Sequence, residues 1–463
     1  MPRILPRSMP EAEGVSPAAL LAFFRALDEL DSVHSFMVMR HGRVIAEAWK
    51  KPYAPELPHM LFSLSKSFTS SAVGFACAEG KLSLDARLID LFPDKLPERF
   101  DEKFERMRIR HLLAMDSGHD HCTMDDMAPA ADWEKAFFAT VPAYEPGTHF
   151  CYNSGATYML ASAVVRTTGM GLRDYLRPRL FEPLGIARHD WELSPAGIEV
   201  GGWGFYLTTE EIASFAQCLL DHGMRNGKRI IPPDYLDQAI SVQSDNSSND
   251  QPDWKVGYGF QFWRCRHNAF RGDGAFGQYA IVMPEQDMAI AITSGLHNMQ
   301  SVLDRVWEVL LPAAGKSAAP DPAATEAFRK EAAAWSLPVL GSEGNPFPLR
   351  RYALAENATG FATLALASFD DRVELTLDGE TLVAGLGHRL DNHLCWRGPK
   401  RRMAASARWN SANELELLVS CCETPYQWVI RISADDKSMK LVREENVSFR
   451  TREWPELTGV RAN

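Results

Sequence analysis

Apolar positions along the chain change period several times, and each change marks an element. From residue 17 the period is helical: Leu20, Phe23, Phe24 and Leu27 recur on one face as far as Leu30, behind Ser16-Pro17, a capping serine followed by a proline at the first helical position. Residues 36–39 and 44–49 then read as two strands of a hairpin, joined by Arg40-His41-Gly42-Arg43. Residues 63–79 have no polar face. Small side chains (Ser67, Ser70, Ser71, Ala72, Gly74, Ala76, Ala78) alternate there with Phe68, Val73 and Phe75, and Gly80 supplies a stop, which predicts a helix buried on all sides. Residues 90–240 are mostly helical in pattern with irregular loops. The clearest helix spans 208–221, where Thr208 and Glu211 make a capping box and Ile212, Phe215, Ala216, Leu219 and Leu220 share a face.

Strand-like patterning resumes over 257–263, 278–283 and 288–293, and Val302, Leu303, Val306 and Leu310 line a helix halted by Pro312. Residues 313–333, rich in Ala, Pro and Lys, read as a linker with a short helix from Ala323. From about Phe347 the pattern is of strands: 362–369, 372–377, 404–409, 415–419, 428–432 and 440–443, with Asp378-Gly379 marking a tight turn. The expected organisation is an α+β domain over 1–315, a linker over 316–345 and a small all-β domain, sandwich or barrel, over 346–463.

Bulk properties narrow the function more than the fold. A chain of 463 residues is long for one domain. A net charge of −11 argues against nucleic acid as a partner, and no apolar run approaches a membrane span. Residues 1–10 lack the basic-then-apolar layout of a secretory leader. The eight cysteines (Cys77, Cys122, Cys151, Cys218, Cys265, Cys395, Cys421, Cys422) form no evident framework and suit free thiols, so the expected location is the cytoplasm.

Candidate chemistry concentrates at the head of the buried helix. Ser63 and Lys66, three residues apart, share a face, and the helix N-terminus offers free backbone N–H groups to an anion. A hydroxyl beside an amine, next to such donors, suits serine acyl transfer. A lysine in an otherwise apolar helix is costly to bury without a partner or a task. A capping serine followed by a surface lysine is the plainer reading of the four-residue pattern alone.

The run Met60-Leu61-Phe62-Ser63-Leu64-Ser65-Lys66-Ser67-Phe68-Thr69, then Glu79-Gly80-Lys81-Leu82-Ser83-Leu84-Asp85, resembles the nucleophile helix and following loop of the serine β-lactamase-like hydrolases. That family includes penicillin-binding proteins, class C β-lactamases and related esterases and amidases. Arg110-His111-Leu112-Leu113-Ala114-Met115-Asp116-Ser117-Gly118 is similar to its next recurring segment, and the resemblance spans roughly residues 10–312. It implies a β-lactamase/transpeptidase-like fold, an antiparallel sheet flanked by helices plus an all-helical region. It also implies that Tyr152 in Cys151-Tyr152-Asn153-Ser154 is the second-motif tyrosine, with Ser154 as a substrate-gripping residue. The adjacent Asn153 leaves a one-residue alternative alignment open. A phenol near an ammonium is expected to have its pKa lowered and to share a proton with the attacking hydroxyl.

The third motif departs from the family, which places Lys, His or Trp on the strand walling the site. Anchoring on Gln278-Tyr279-Ala280-Ile281-Val282-Met283-Pro284 puts Ala275-Phe276-Gly277 on the motif, with Ala275 at the cationic position. These three are the expected substrate-contacting residues beside Ser154, and the N–H groups of Ser63 and Gln278 the expected oxyanion hole. Asp273 or Arg271 is an alternative source of charge, although Gly272-Asp273-Gly274 reads more simply as a polar turn. His119-Asp120-His121-Cys122 and Asp125-Asp126 have metal-ligating side chains but no second cluster at zinc spacing, so no metal is expected and the segment reads as a polar loop. His297 is left unassigned.

The resulting expectation is a serine hydrolase forming an acyl-enzyme on Ser63, with Lys66 and Tyr152 handling the proton, acting on small carboxylic esters without a cofactor. Its partner is a small-molecule ester or amide, and its oligomeric state is open. Three alternatives stand beside it: an amide or D-peptide hydrolase, a β-lactamase or penicillin-binding protein, and a catalytically inactive ligand-binding module.

Overall fold

The computed structural model describes residues 4–187, 190–316, 318–396 and 399–462; residues 1–3 of the stretch read for a leader lie outside these. The chain divides into two compact units. The first comprises the chain up to Ala48, Met60–Thr293 and Asn298–Glu331; the second comprises Trp49–His59, Ser294–His297 and the chain from Ala332 onward.

In the first unit, strands β1 (Val33–Arg40) and β2 (Arg43–Trp49) form the expected hairpin, turned by His41 and Gly42 at φ 50° and 73°. Two left-handed residues in succession match the right-handed twist of the flanking strands, which is why a glycine stands second. The short strands β3 (His59–Met60) and β4 (Tyr206–Leu207) form one two-stranded ribbon, and β5 (Met224–Arg225) and β6 (Lys228–Arg229) another. The main sheet adds β7 (Trp263–Arg264), β8 (Phe270–Gly274), β9 (Gln278–Met283) and β10 (Met288–Ser294), in the order β2-β1-β10-β9-β8-β7. Its central strands β9 and β10 are buried along their whole length. They therefore carry unbroken apolar runs rather than an alternation, because both faces are covered.

Three expectations change here. The segment 257–263 contributes only β7 to the sheet; Tyr258 makes isolated bridges to Ser244 and Trp263. Gly272-Asp273-Gly274 is no turn but the end of β8, buried throughout. The region 90–240 holds helices, including Trp133–Ala139, Ser154–Thr168 and Thr209–Leu220, together with strands β4 to β6, so it is not purely helical. Within the 316–345 stretch the short helix expected from Ala323 is present. Pro322–Ala334 forms a helix whose first turn is capped by Asp321, and Phe328 sets its ring edge-on to Phe24 at 5.6 Å.

The second unit is barrel-like. Its ten strands are β11 (Phe347–Leu354), β12 (Thr363–Ser368), β13 (Arg372–Leu377), β14 (Glu380–Gly385), β15 (Leu390–Leu394), β16 (Arg401–Ser411), β17 (Glu414–Cys421), β18 (Gln427–Ala434), β19 (Ser438–Glu445) and β20 (Leu457–Arg461). Neighbours run antiparallel, and a bridge between Gly385 and Ser406 links β14, at one end of the strand order, to β16, next to the other end. Alternate residues such as Val373, Leu375 and Leu377, or Ile430 and Ile432, point into one apolar core. Asp378-Gly379, at φ 43° and 89°, is the two-residue turn between β13 and β14.

Candidate active site

The head of the buried helix is built in two steps. The chain turns left-handed at Phe62 (φ 47°), passes through a single 3-10 turn at Phe62–Leu64, and enters the α-helix Ser65–Ala78. A positive φ at a phenylalanine is costly, and such outliers cluster at functional sites. The helix is buried on every side from Ser65 to Ala76 because its hydroxyls replace water with neighbouring backbone. Ser67 donates to the Gln261 carbonyl at 2.9 Å, Thr69 to Gly201 at 2.9 Å and Ser70 to Phe260 at 2.6 Å. Small residues also let neighbours approach: a methyl on Gly74 would lie 2.4 Å from the Tyr235 ring.

Lys66, 1% exposed, places its Nζ between three acceptors. It donates to Ser63 Oγ at 3.1 Å, to Ser154 Oγ at 3.0 Å and to the Gly202 carbonyl at 2.8 Å. Burial lowers its pKa to about 7, against the opposing pull of Cys122 and Asp273. A substantial neutral fraction at neutral pH is what a general base needs. Ser154 opens the helix Ser154–Thr168, while Asn153 caps it, its Oδ1 accepting from the backbone of Gly155 and Ala156. Asn153 is thus committed to the helix start and to Thr123, and Ser154 is the residue that reaches Lys66.

Lys66 Nζ lies 5.0 Å from the centre of the Tyr152 ring, and the nearby Ser63 hydroxyl favours the phenolate only weakly. The expected lowering of its pKa does not occur. Burial first, then the Asp273 carboxylate, push the phenol up, so it stays protonated at neutral pH. Its ring stacks on Trp263 at 5.3 Å and 24°, within an apolar cluster of Met115, Tyr258 and Trp263 that also receives Phe150 and Trp254.

Strand β8 closes the other side, and its glycines explain themselves. A methyl on Gly274 would stand 1.9 Å from the Leu61 carbonyl oxygen, and one on Gly272 would stand 2.5 Å from Leu64 and 2.7 Å from Ser67 Oγ. Only bare backbone fits this close to the turn that carries Ser63. Ala275, Phe276 and Gly277 do not lie on a strand; they form the turn between β8 and β9, with Phe276 and Gly277 at φ 66° and 92°. The Phe276 ring meets Phe62 edge-on at 5.4 Å, beside Ser63 in sequence. Gln278 opens β9, and its side chain holds the Ala275 carbonyl at 3.0 Å.

Arg271 and Asp273 alternate with those glycines and so face away from the helix. Arg271, wholly buried, donates from Nε to Asp273 at 2.8 Å and from Nη1 to the Asp253 carbonyl at 2.7 Å, and lies over the Trp254 ring at 4.3 Å.

The remaining candidates are structural or peripheral. His119 is buried, with Ser117 on one ring nitrogen and the Thr140 carbonyl on the other. Exposed His121 sits between Asp120 and Asp126. Among the described residues no group of three His, Cys, Asp or Glu side chains is arranged to hold a metal. His297 is exposed and belongs to the second unit. All eight cysteines are free thiols. Among the described residues no helix is long and apolar enough to cross a membrane.

Two participants escaped the sequence reading. Gly202 supplies the third acceptor for Lys66, and a methyl there would come within 3.3 Å of Nζ. Cys122 accepts from the Ser154 N–H at 3.3 Å, which places its sulfur beside the residue that holds Lys66. The Gly201-Gly202 pair was a visible signal, whereas Cys122 stood in the His119–Cys122 run and was read there as part of a polar loop.

Comparison with known proteins bears on the fold and the family. The 6-aminohexanoate-dimer hydrolase of Paenarthrobacter ureafaciens is 24% identical over 280 residues, 55% of this chain and 71% of that one. The hydrolase EstCE1 superposes with a TM-score of 0.51 at 17% identity, over 63% of this chain and 97% of its own. The octameric penicillin-binding protein homologue from Pyrococcus abyssi has a TM-score of 0.51 at 16% identity and covers 95% of this chain and 99% of its own. These structural likenesses speak to fold. Residues 25–313, well over half of the chain, match the family described as Beta-lactamase, and the chain therefore belongs to that family of serine hydrolases.

Proposed function

We propose that the protein hydrolyses small neutral carboxylic esters through an acyl-enzyme on Ser63. The observation that carries this reading is the near-neutral, buried amine of Lys66 hydrogen-bonded to the Ser63 hydroxyl. In the proposed sequence neutral Lys66 takes the Ser63 proton as Oγ bonds to the carbonyl carbon. Tyr152, a phenol throughout the resting state, gives its proton to the departing alkoxide oxygen and is refilled from Lys66. Water then attacks the acyl carbon, its proton returns along the same path, and Ser63 leaves as the hydroxyl. The N–H groups of Ser63 and Gln278 are assigned to the oxyanion.

Preference for a neutral substrate rests on charge. Ala275 offers none, and the Arg271 guanidinium has no exposed surface and is committed to Asp273. A substrate carboxylate entering a partly dry pocket without a cation costs several kcal/mol, on the order of 2–7 for even a polar group. Amide hydrolysis is the second reading, favoured by the name of the Paenarthrobacter relative.

A panel of a short aryl ester, a short amide and a chromogenic cephalosporin decides between them, with Ser63→Ala as control. The ester is expected to exceed the cephalosporin in kcat/KM by about 10²-fold or more, and Ser63→Ala to abolish turnover. A cephalosporin turned over as fast as the ester defeats the neutral-substrate reading; undiminished hydrolysis in Ser63→Ala defeats the mechanism.

A further inference from the structure

Where a segment is buried almost without interruption, the few positions that are not buried mark the wall of a pocket. In residues 61–76 the one such position is Ser63, and in 269–283 it is Ala275. In 152–164 there are two, Tyr152 and Ser154. The segment 199–209 behaves in the same way, and its one position that is not buried is Trp203. The first four have roles above; Trp203 has none.

Neighbouring residues fix its place. The Gly202 carbonyl accepts from Lys66 at 2.8 Å. Phe205 bonds the nucleophile turn twice: its N–H donates to Ser65 Oγ at 3.3 Å, and its carbonyl accepts from the Leu61 N–H at 2.8 Å. Trp203 therefore stands between two residues tied to the stretch that carries Ser63. Its indole N–H donates to Glu192 Oε2 at 3.0 Å, and its ring leans on Trp133 at 6.1 Å and 37°. Its carbonyl accepts from the Trp191 indole at 2.8 Å. An anchored ring that stays partly open beside a nucleophile offers a flat apolar face that gains by being covered.

The roles assigned above leave one part of the substrate for it. With the oxyanion against the β9 N–H and the leaving oxygen at the Tyr152 phenol, the third substituent of the carbonyl carbon is left the wall on the Gly202 side. That substituent is the acyl group. We propose that Trp203 is the specificity-determining residue of an acyl subsite, and that the favoured ester carries a flat apolar acyl group of the phenylacetyl kind rather than acetyl. This rests on the acyl-enzyme reading given above. The five lining positions present two aliphatic hydroxyls, a phenol, a methyl and an indole, so a neutral aryl group meets no charge among them. Ring-on-ring contact and the apolar area removed from water both favour it. The contact is already made when the acyl-enzyme forms, so the preference appears in kcat/KM.

Two esters with one leaving group isolate the acyl side: 4-nitrophenyl phenylacetate and 4-nitrophenyl acetate. In the full chain, Trp203→Ala is expected to lower kcat/KM for the phenylacetate by about 20-fold and for the acetate by no more than about threefold. Trp203→Phe, which keeps a flat ring, is expected to hold the wild-type preference within about threefold. Benzyl acetate and ethyl acetate, which vary the leaving side alone, are expected to respond equally to Trp203→Ala. Far-UV circular dichroism and thermal unfolding check that each variant is folded, and Ser63 labelling by a fluorescent phosphonate checks the site. Should Trp203→Ala not fold, Trp203→Leu, which fills the space without a flat face, replaces it with the same expected direction. Equal losses for phenylacetate and acetate in a folded variant overturn the proposal. So does a loss confined to benzyl acetate, which would put Trp203 on the leaving-group side. A wild-type chain that hydrolyses neither nitrophenyl ester, or whose Ser63 is not labelled, overturns the functional reading instead, which keeps the two failures distinct.

Discussion

Replacing Lys66 by methionine is expected to destroy activity and yet stabilise the protein at neutral pH. The lysine is 1% exposed, and burial moves its pKa from the ordinary 10.5 to about 7. At about 1.4 kcal/mol per pH unit, holding the amine inside costs about 5 kcal/mol when it is charged. Methionine has similar length and no charge, so that cost disappears. Against it stand the hydrogen bonds lost to Ser63, Ser154 and Gly202, of which the buried Gly202 carbonyl is the serious one. Leaving such a group unpaired costs about 1–3 kcal/mol. The net gain at pH 6.5 is therefore about 2–3 kcal/mol, or roughly 3–5 °C in Tm for a unit of this size. The sign depends on pH. Between about 7 and 10.5 the unfolded chain holds a proton that the folded chain does not, so the stability of the wild type rises with pH across that window. The advantage of Lys66→Met is then greatest below pH 7 and should vanish or reverse by about pH 9.5. Differential scanning calorimetry of both proteins at pH 6.5 and 9.5 measures it, using the transition that shifts when wild-type Ser63 is phosphonylated by a phosphonate ester. A Lys66→Met protein less stable than wild type at pH 6.5 refutes the reasoning, and so does a difference that is the same at both pH values.

Two further outcomes are expected. Tyr152→Phe and Lys66→Ala should each lower kcat by about 10²–10⁴-fold, with the double variant losing far less than the product because one proton path is removed twice; fully multiplicative losses would mean that the two act independently. Gly274→Ala should slow phosphonate labelling of Ser63 at least about 10-fold, because its methyl, 1.9 Å from the Leu61 carbonyl, forces β8 away from the Ser63 turn; labelling at the wild-type rate in a folded variant would show that the close approach is dispensable.

Charge on the wall of the site illustrates how position in the fold overrides position in a motif. Anchoring the motif on Gln278–Pro284 puts Ala275 where the resembling family carries a cation, and the structure puts Ala275 in a turn. The ionisable groups on the wall strand are Arg271 and Asp273, buried and paired. Gly272-Asp273-Gly274 has the composition of a turn because glycine and aspartate are poor strand formers. It is a strand all the same, since the Ser63 turn packs so closely against it that no other residue than glycine is accommodated at 272 and 274. The helix Pro322–Ala334 shows in the sequence only as a short helix from Ala323 within an expected linker, for a related reason. Its alanine-rich sequence shows little amphipathic pattern, and what seats it is one ring, Phe328, against Phe24 and Phe36.

The sequence by itself determined the elements whose signals are local. The hairpin turn at His41-Gly42, the capping box at Thr208, the alternation in β13 and β18, and the buried Ser/Ala-rich helix all follow from propensity and period within a few residues. The same locality placed Ser63 and Lys66 on one face, one helical turn apart, and the motif resemblance brought in Tyr152 and Ser154. Tertiary structure alone decided everything that depends on the distance between remote segments and on their burial. It supplied the Gly202 carbonyl to Lys66 across 136 residues. It set the neighbours of β8, and it reversed the expected direction of the Tyr152 pKa. A nearby ammonium was legible in the sequence and argued for a more acidic phenol. The desolvation of that phenol and the carboxylate of Asp273 are properties of the packed interior, and there the loss of water outweighs the single charge.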